Sequence, residues 1–195
     1  MPIYLIRHTT PEIDHGMCYG QSDIDVAHTF PTELAGLASQ IESLNISKIY
    51  SSPLKRSQKL AAALSVQFNI PLQVDDRLKE LNFGDWEMNR WDSLLPTELN
   101  MWMTDFVNLC TPHGESYLQM HKRVSDFLNH TDLRNALIIS HSGVMRSILC
   151  SLTNTVLNDA FSKFTFDFNE LLEVDIIKRS YKKMGVGIGI NKFRI

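Results

Sequence analysis

The stretch IYLIRHTTP, residues 3–11, joins a short apolar run to a group of polar side chains. Consecutive apolar residues bounded by Pro2 and by polar residues are typical of a buried strand. Neither strand pairing nor core packing calls for an arginine followed by a histidine at such an end. Arg7 and His8 therefore predict that a ligand or a reacting group meets the tip of this strand.

The rest of the chain alternates short apolar runs with segments of helical periodicity. The runs predict strands at Lys48–Ser51, Pro71–Val74 and Ala136–Ser140. The periodic segments predict helices over Thr32–Leu44, Leu54–Phe68 and Glu115–Leu128, and a further helix that follows residues 141–143 and runs through Leu152. Strands that alternate with helices predict an α/β fold of three layers, αβα, with a mainly parallel sheet and helices on both faces.

Later segments complete this picture. Glu170–Ile177 and Gly185–Phe193 alternate apolar and polar residues, which predicts two further strands. Residues 76–113 are rich in Trp, Met and Leu and contain the helix breaker Pro96, so we expect short helices and loops that can cap a site. A chain of 195 residues without a linker is expected to form a single domain, residues 1–195.

Composition narrows the class of protein. With a formal net charge of -3 and a pI of about 6.1, the chain lacks the overall excess of positive charge that is typical of nucleic-acid-binding proteins. Three scattered cysteines form no disulfide framework, which favours a reducing compartment. No signal sequence and no apolar run of membrane-spanning length is present. We expect a cytoplasmic protein without a membrane or nucleic-acid partner, and the sequence leaves open whether it forms a homodimer.

Five side chains with complementary chemistry are expected to converge at one edge of the sheet. In such folds, ligands bind outside the carboxyl ends of the strands, and Arg7, His8, Arg56 and His141 all follow predicted strands. Arginine forks match phosphate oxygens, a histidine nitrogen can attack phosphorus, and the carboxylate of Glu80 can move a proton. This set suits phosphoryl transfer from a small molecule, with neither a metal nor another cofactor.

Five motifs, taken in chain order, resemble those of the histidine phosphatase superfamily, whose members share a phosphoglycerate-mutase-like fold. An Arg-His dipeptide alone is common by chance, whereas five motifs in the superfamily's order form a specific signal. They are LIRHTTP (5–11), YSSPLKRSQKLA (50–61), LKELNFGDWE (78–87), PHGESYLQMHKRV (112–124) and IISHSGVMRSIL (138–149). The resemblance implies an enzyme that hydrolyses phosphomonoesters through a phosphohistidine.

The resemblance also implies a role for each matching residue. His8 would accept the phosphoryl group, which Arg7, Arg56 and His141 would clamp. Glu80 would protonate the leaving oxygen and later activate water. By the same likeness, Gln21 would donate to the phosphate or the ribose, and the hydroxyls of Thr9 and Thr10 would add donors. Ser142 is a further candidate, which could donate to the phosphate or narrow the approach to it.

A longer stretch, RHTTPEIDHGMCYGQSD (7–23), resembles the α-ribazole phosphatases of this superfamily. These enzymes remove a 5′-phosphate during assembly of the cobalamin nucleotide loop, so α-ribazole 5′-phosphate or the equivalent cobalamin phosphate is the first expected substrate. The alternatives are another small metabolite such as a sugar phosphate, a mutase, and a non-catalytic module that binds phosphorylated ligands. The short chain argues against the mutases that usually carry an insertion.

Several assignments remain open in the sequence. Asp85 or Glu115 could replace Glu80 as the proton donor. Two positions depart from the superfamily's pattern, since Ser142 and Met88 stand where glycine is usual. The segment expected to cap the site also contains an apolar stripe, which comprises Trp86, Trp91, Met101, Trp102 and Met103. We favour a role in core packing for this stripe, and the alternative is a flat apolar wall that contacts a heterocyclic substrate.

Overall fold

The computed structural model describes residues 2–184. Its strands are β1 (Ile3–Arg7), β2 (Lys48–Ser51), β3 (Leu72–Val74), β4 (Ala136–Ser140), β5 (Leu171–Asp175) and β6 (Ser180–Met184). Its helices are α1 (Phe30–Ile41), α2 (Lys55–Phe68), α3 (Pro96–Thr104), α4 (Tyr117–Asn129), α5 (Ser142–Thr153) and α6 (Ala160–Lys163). The strand predicted at Gly185–Phe193 lies outside the described residues.

The strands form one mixed sheet in the order β3-β2-β4-β1-β5-β6. The first four in this order pair in parallel, and β5 and β6 add an antiparallel edge. Arg7 is in register with Ser140, and Ser51 is in register with Ile139. The carboxyl ends of β1, β2 and β4 therefore meet at one edge, which confirms the predicted α/β sheet and brings together the residues that follow these strands.

Helices cover both faces because side chains alternate along each central strand. Tyr4 and Ile6 of β1 pack with buried residues of α1 and α2, whereas Ile3 and Leu5 pack with those of α4 and α5. The side chains of Ile3, Leu5 and Ile6 are fully buried, and each such burial contributes about 1.5–3 kcal/mol to the free energy of folding. Two apolar cores thus hold the sheet edge in place.

Residues 76–113 form short 3₁₀ turns and the helix α3, as predicted for the cap. Trp86 and Trp102 are buried in the core that faces α4 and α5, which confirms the packing role predicted for them. The same prediction is wrong for Met101 and Met103, which are more than half exposed because they flank Trp102, the residue of α3 that is buried in the core. No helix among residues 2–184 has the length and apolarity needed to cross a membrane.

The late strands differ from the prediction. The strand expected over Glu170–Ile177 ends at Asp175, because its carboxylate accepts hydrogen bonds from the backbone N–H groups of Ile177 and Lys178 and turns the chain. The strand β6 was not predicted, because the segment SYKKM is mostly exposed and lacks a clear apolar alternation. It pairs with β5 at the edge of the sheet.

Candidate active site

His8 follows β1 and sits at the shared edge of the parallel strands. Its backbone N–H donates to the carbonyl of Ser140 at the end of β4, with an N–O distance of 2.9 Å. This bond extends the β1–β4 ladder by one residue and fixes His8 beside His141, so that the ring centroids lie 5.0 Å apart. The two histidines of the predicted site are therefore brought together by strand register.

The His8 ring is held in one tautomer. Its Nδ1 lies 2.7 Å from the carbonyl oxygen of Thr9, which can only accept, so Nδ1 carries the hydrogen and Nε2 keeps a free lone pair. The side chain is 2% exposed. Burial, reinforced by the charges of Arg56 and Arg7, holds the pKa of His8 well below its usual range. His8 is thus neutral and can act as a nucleophile.

His141 follows β4 and is fully buried. Its Nε2 lies 2.8 Å from the hydroxyl oxygen of Ser52, while its Nδ1 has no hydrogen-bond partner among residues 2–184. Burial is the main cause that lowers the pKa of His141 well below its usual range, and Arg56 adds to it. His141 is therefore also neutral.

The two arginines of the predicted site are anchored by backbone carbonyls. Arg7 Nη1 donates to Phe166 at 2.8 Å, and its guanidinium lies 3.8 Å from the ring centroid of Phe168. Arg56 is fully buried and donates through Nη1 to Ser22 and through Nη2 to Gly20. Neither arginine forms an ion pair within the described chain, so both positive charges are open to an anion.

Four buried polar atoms that belong to predicted site residues lack a hydrogen-bond partner within residues 2–184. They are Arg7 Nε, Arg56 Nε, His141 Nδ1 and Thr9 Oγ1. Buried polar groups are nearly always paired, so a group of unpaired ones needs an explanation. Donors gathered around a neutral histidine fit an oxyanion such as a phosphoryl group.

A cavity of about 150 Å³ opens beside His8. Arg56 and His141 do not line it, but they border residues that do, namely Gly20 and His8. A larger hollow of about 340 Å³ near Leu133 and Ile177 contains none of these groups, so we place the chemistry in the smaller cavity. Its polar lining is Arg7, His8, Glu80, Ser142 and Arg146, and its apolar lining includes Cys18, Leu81, Phe83, Trp91, Tyr117 and Phe161.

Glu80 faces the cavity and is held by two backbone amides. Its Oε1 accepts from Leu81 at 3.0 Å, and its Oε2 accepts from Gly143, near the start of α5, at 3.1 Å. A Cβ at Gly143 would lie 2.3 Å from Glu80 Oε1, so only glycine allows this approach. The carboxylate is thereby fixed in the lining of the cavity that His8 also lines, where it can exchange a proton with a bound substrate.

A family model of the histidine phosphatase superfamily (branch 1) matches residues 3–184. The chain belongs to this superfamily. The resemblance given by the five motifs is therefore confirmed for the family and for the fold.

Relatives of the chain within the superfamily carry several names. A putative phosphoserine phosphatase 2 from Hydrogenobacter thermophilus is 30% identical, with 82% of each chain aligned. An adenosylcobalamin/alpha-ribazole phosphatase from Salmonella typhimurium is 25% identical over 78% of this chain and 79% of that protein. The crystal structure of the alpha-ribazole phosphatase from Shigella flexneri superposes with a TM-score of 0.85 at 22% identity, covering 98% of this chain and all of that one. The phosphatases among these relatives support phosphatase activity for this histidine phosphatase.

The two alternative acids have other partners. Glu115 pairs with Arg123, whose Nη2 lies 2.6 Å from its Oε1, and it also accepts from the backbone N–H of Asn82. Asp85 is exposed and lies 2.7 Å from Nδ1 of His113 at the surface. Neither lines the cavity, so among the three carboxylates only Glu80 shares the cavity with His8.

The further residues predicted to contact phosphate differ in whether their side-chain donors already have a partner. Thr9 is fully buried next to His8, and its hydroxyl is unpaired within the described residues. Thr10 donates from its hydroxyl and backbone to Glu33 of α1, and Gln21 donates its amide to the carbonyl of Glu80 at 3.0 Å. Thr10 and Gln21 thus anchor the loop after β1, because their donors are already bonded to the carboxylate of Glu33 and the carbonyl oxygen of Glu80.

The two departures from the superfamily's pattern have different consequences. Met88 has a φ of +64°, the left-handed region that favours glycine, which costs about 1 kcal/mol or more. Its backbone N–H donates to Cys18 at 2.7 Å, and this bond stabilises the turn that the methionine strains. Ser142 lines the cavity, and its hydroxyl accepts from Arg146 Nη1 at 3.1 Å.

Sequence reasoning missed Arg146 and Ser52. Arg146 lies four residues after Ser142 on α5, so helical periodicity starting from the second-histidine motif could have placed it on the same face. Ser52 follows β2 directly, and its contact with His141 depends on the pairing of β2 with β4. Cys18 also lines the cavity, but burial raises the pKa of its thiol, which argues against a nucleophilic role.

Proposed function

We propose that this histidine phosphatase hydrolyses phosphomonoesters through a phosphohistidine on His8, with no metal taking part. The observation that carries the proposal is the neutral His8 ring, which lines the cavity and whose Nδ1 is bonded to the carbonyl of Thr9, so that Nε2 keeps its lone pair. A neutral imidazole with one committed nitrogen is a nucleophile with a defined direction of attack.

In the first half-reaction, His8 Nε2 forms a bond to phosphorus as the bond from phosphorus to the ester oxygen breaks. Glu80 gives its proton to that oxygen, and an alcohol leaves. Arg7, Arg56 and the Nδ1–H of His141 donate to the equatorial oxygens, where charge is stabilised in the transition state. Donation from His141 Nδ1 is favoured when Ser52 donates its hydroxyl hydrogen to Nε2.

In the second half-reaction, the carboxylate of Glu80 takes a proton from water as the water oxygen attacks phosphorus. The bond from phosphorus to His8 Nε2 breaks, inorganic phosphate leaves, and His8 returns to its neutral form. The Thr9 carbonyl supports the positive charge of the phosphohistidine through Nδ1–H. One carboxylate thus serves as acid and then as base.

The first candidate substrate is α-ribazole 5′-phosphate or the equivalent cobalamin phosphate. The motif at residues 7–23 supports it, as do the names of two relatives. Phe83 and Trp91 line the cavity, stack edge to face with centroids 5.2 Å apart, and offer an aromatic wall to a flat heterocycle.

The second candidate substrate is a phosphorylated amino or hydroxy acid. It is favoured by the relative named a putative phosphoserine phosphatase, which is 30% identical over 82% of the chain. A cationic side chain that lines the cavity, Arg146, also favours it. Both candidates use the same phosphoryl chemistry and differ only in the leaving group.

Phosphoenzyme trapping tests the proposal. We expect a labelled aryl phosphate, quenched in alkali, to leave an acid-labile label on the wild type and on His28→Ala, a change at an exposed histidine. His8→Ala should carry no label and turn over at least about a thousandfold more slowly. Retention of most activity in His8→Ala would show that His8 is not the nucleophile.

A further inference from the structure

Arg146 is a cation that the phosphoryl chemistry does not use. It projects from α5 into the cavity wall, where its Nε donates to the Phe164 carbonyl at 2.9 Å and its Nη1 donates to Ser142. Its guanidinium also lies 4.6 Å from the ring centroid of Phe161. The side chain is therefore held in one position, with Nη2 uncommitted among the hydrogen bonds of residues 2–184.

No carboxylate within residues 2–184 forms an ion pair with Arg146. The arginine that neutralises Glu115 is Arg123, which lies on α4. Glu80 attracts Arg146 electrostatically, but its carboxylate accepts from the backbone of Leu81 and Gly143 instead. Arg146 is partly buried, and a partly buried guanidinium without a counter-ion is unfavourable, so the site is complementary to an anion that is yet to bind.

In the proposed reaction, the positive charges around the cavity outnumber the negative charges of the phosphoryl group by one. Arg7 and Arg56 match the two negative charges of a phosphomonoester, and the carboxylate of Glu80 is already bonded to the backbone N–H groups of Leu81 and Gly143. Arg146 then has no anion unless the leaving group supplies one. A carboxylate is the anion that an arginine fork recognises with two parallel hydrogen bonds.

Ser142 adds a second polar group at the same place. Its hydroxyl oxygen accepts from Arg146, so its own hydrogen is free to be donated to a ligand. Glycine, usual at this position in the superfamily, would provide neither the contact with Arg146 nor this donor. The pair lies one helical turn apart on the face of α5 that lines the cavity.

We propose that Arg146 and Ser142 form a subsite for a carboxylate on the leaving group. The inference rests on the proposed function and names its substrate class, phosphomonoesters of hydroxy acids. It favours the second candidate substrate over the first, because α-ribazole carries no carboxylate.

Two matched compounds test the subsite. 3-Phosphoglycerate and glycerol 3-phosphate differ only in a carboxylate that replaces a hydroxymethyl group. We expect the wild type to show a kcat/KM at least about tenfold higher for 3-phosphoglycerate, since one hydrogen-bonded charge pair supplies that factor. Equal kcat/KM values for the two compounds would overturn the inference.

Three variants test whether Arg146 and Ser142 cause the preference for 3-phosphoglycerate. Arg146→Gln should lower the ratio of the two kcat/KM values by about tenfold, and Ser142→Ala by about threefold. Arg134→Gln, which alters an exposed arginine paired with Asp132, should leave the ratio unchanged. A loss in Arg146→Gln that is the same for both compounds would contradict the subsite and indicate a role in holding Phe164. Ser142→Ala provides the answer if Arg146→Gln does not fold.

Binding separates this inference from the proposed function. Calorimetric titration of His8→Ala with each compound measures recognition without turnover. Binding of 3-phosphoglycerate at least about tenfold tighter, lost in the double variant with Arg146→Gln, supports the subsite even if the wild type forms no phosphohistidine. Equal affinities, or binding of neither compound, would overturn the subsite even if the wild type hydrolyses aryl phosphates.

Discussion

His8 keeps a reactive nitrogen because its environment opposes protonation. A histidine at the surface would be partly charged near neutral pH, and a charged ring cannot attack phosphorus. Burial and the charges of Arg7 and Arg56 both disfavour the charged form. The arginines that would bind the phosphoryl group therefore also prepare the nucleophile.

Glu80→Gln should reveal a proton donor through its dependence on the leaving group. We expect kcat/KM to fall by roughly a hundredfold or more for an alkyl phosphate, because a poor leaving oxygen needs the proton. For p-nitrophenyl phosphate, whose leaving group needs no proton, the fall should be only severalfold. Glu42→Gln, at the exposed end of α1, is the matched control. Equal losses for both substrates would indicate that Glu80 only binds.

The buried histidines also make stability depend on pH. The folded pKa values of His8 and His141 lie well below 6.5, so the unfolded chain takes up protons that the folded chain does not. Stability is therefore fully present above about pH 6.5 and falls as the pH decreases from there. Each histidine contributes a slope approaching about 1.4 kcal/mol per pH unit.

Urea unfolding between pH 5 and pH 7.5 measures this slope. We expect His8→Asn to reduce the slope and His28→Asn, at an exposed position, to leave it unchanged. An unaltered slope in His8→Asn would show that this ring is protonated alike in the folded and unfolded chains.

At the scale of elements, the start of α5 holds a carboxylate. Helix N-termini provide free N–H groups that favour negative charge, and phosphates commonly occupy them. Here the N–H of Gly143 donates to Glu80, so the helix positions the proposed acid. In the proposed mechanism, phosphate contacts come from side chains that follow the strands.

Gly143→Ala tests this arrangement. The new Cβ would lie 2.3 Å from Glu80 Oε1 and displace the carboxylate, so we expect kcat/KM to fall roughly a hundredfold for an alkyl phosphate. Gly36→Ala is the control, because nothing lies within 4 Å of its Cβ on α1. That change should leave activity intact and raise stability by about 0.5–1 kcal/mol. Activity near the wild-type value in Gly143→Ala would contradict the role of this close approach.

At the scale of the whole molecule, folding gathers three arginines in or near the lining of the cavity. Arg7, Arg56 and Arg146 come from β1, α2 and α5, and within residues 2–184 none of them forms an ion pair. The packing of three elements thus stores an unfavourable electrostatic free energy around the cavity. An anion that binds there should stabilise the entire fold.

Phosphate should therefore raise the thermal midpoint. At about a hundred times its dissociation constant, phosphate adds about 2.7 kcal/mol to the free energy of unfolding, a rise of roughly 5–10 °C in Tm. Potassium chloride at equal ionic strength is the control. The rise should persist in EDTA, because arginines and histidines supply the binding groups, and it should shrink in Arg56→Gln. A rise abolished by EDTA would indicate a metal in the site.

The sequence by itself determined the fold class and the strands that carry the site. Periodicity is a local property, and the rule that parallel strands end at one edge makes a local pattern predict a meeting point. Arg7, His8, Arg56 and His141 were found in this way. The sequence did not predict the weakly patterned strand β6, because pairing with β5 fixes its position.

Only the tertiary structure decided which carboxylate lines the cavity with His8 and which cation that lines it forms no ion pair within residues 2–184. Glu80, Asp85 and Glu115 look alike in sequence, and they differ because Gly143, His113 and Arg123 reach them from distant segments. The protonation of both histidines likewise depends on burial by residues far along the chain. Solvation and charge pairing are set by neighbours in space, so no local pattern could have shown them.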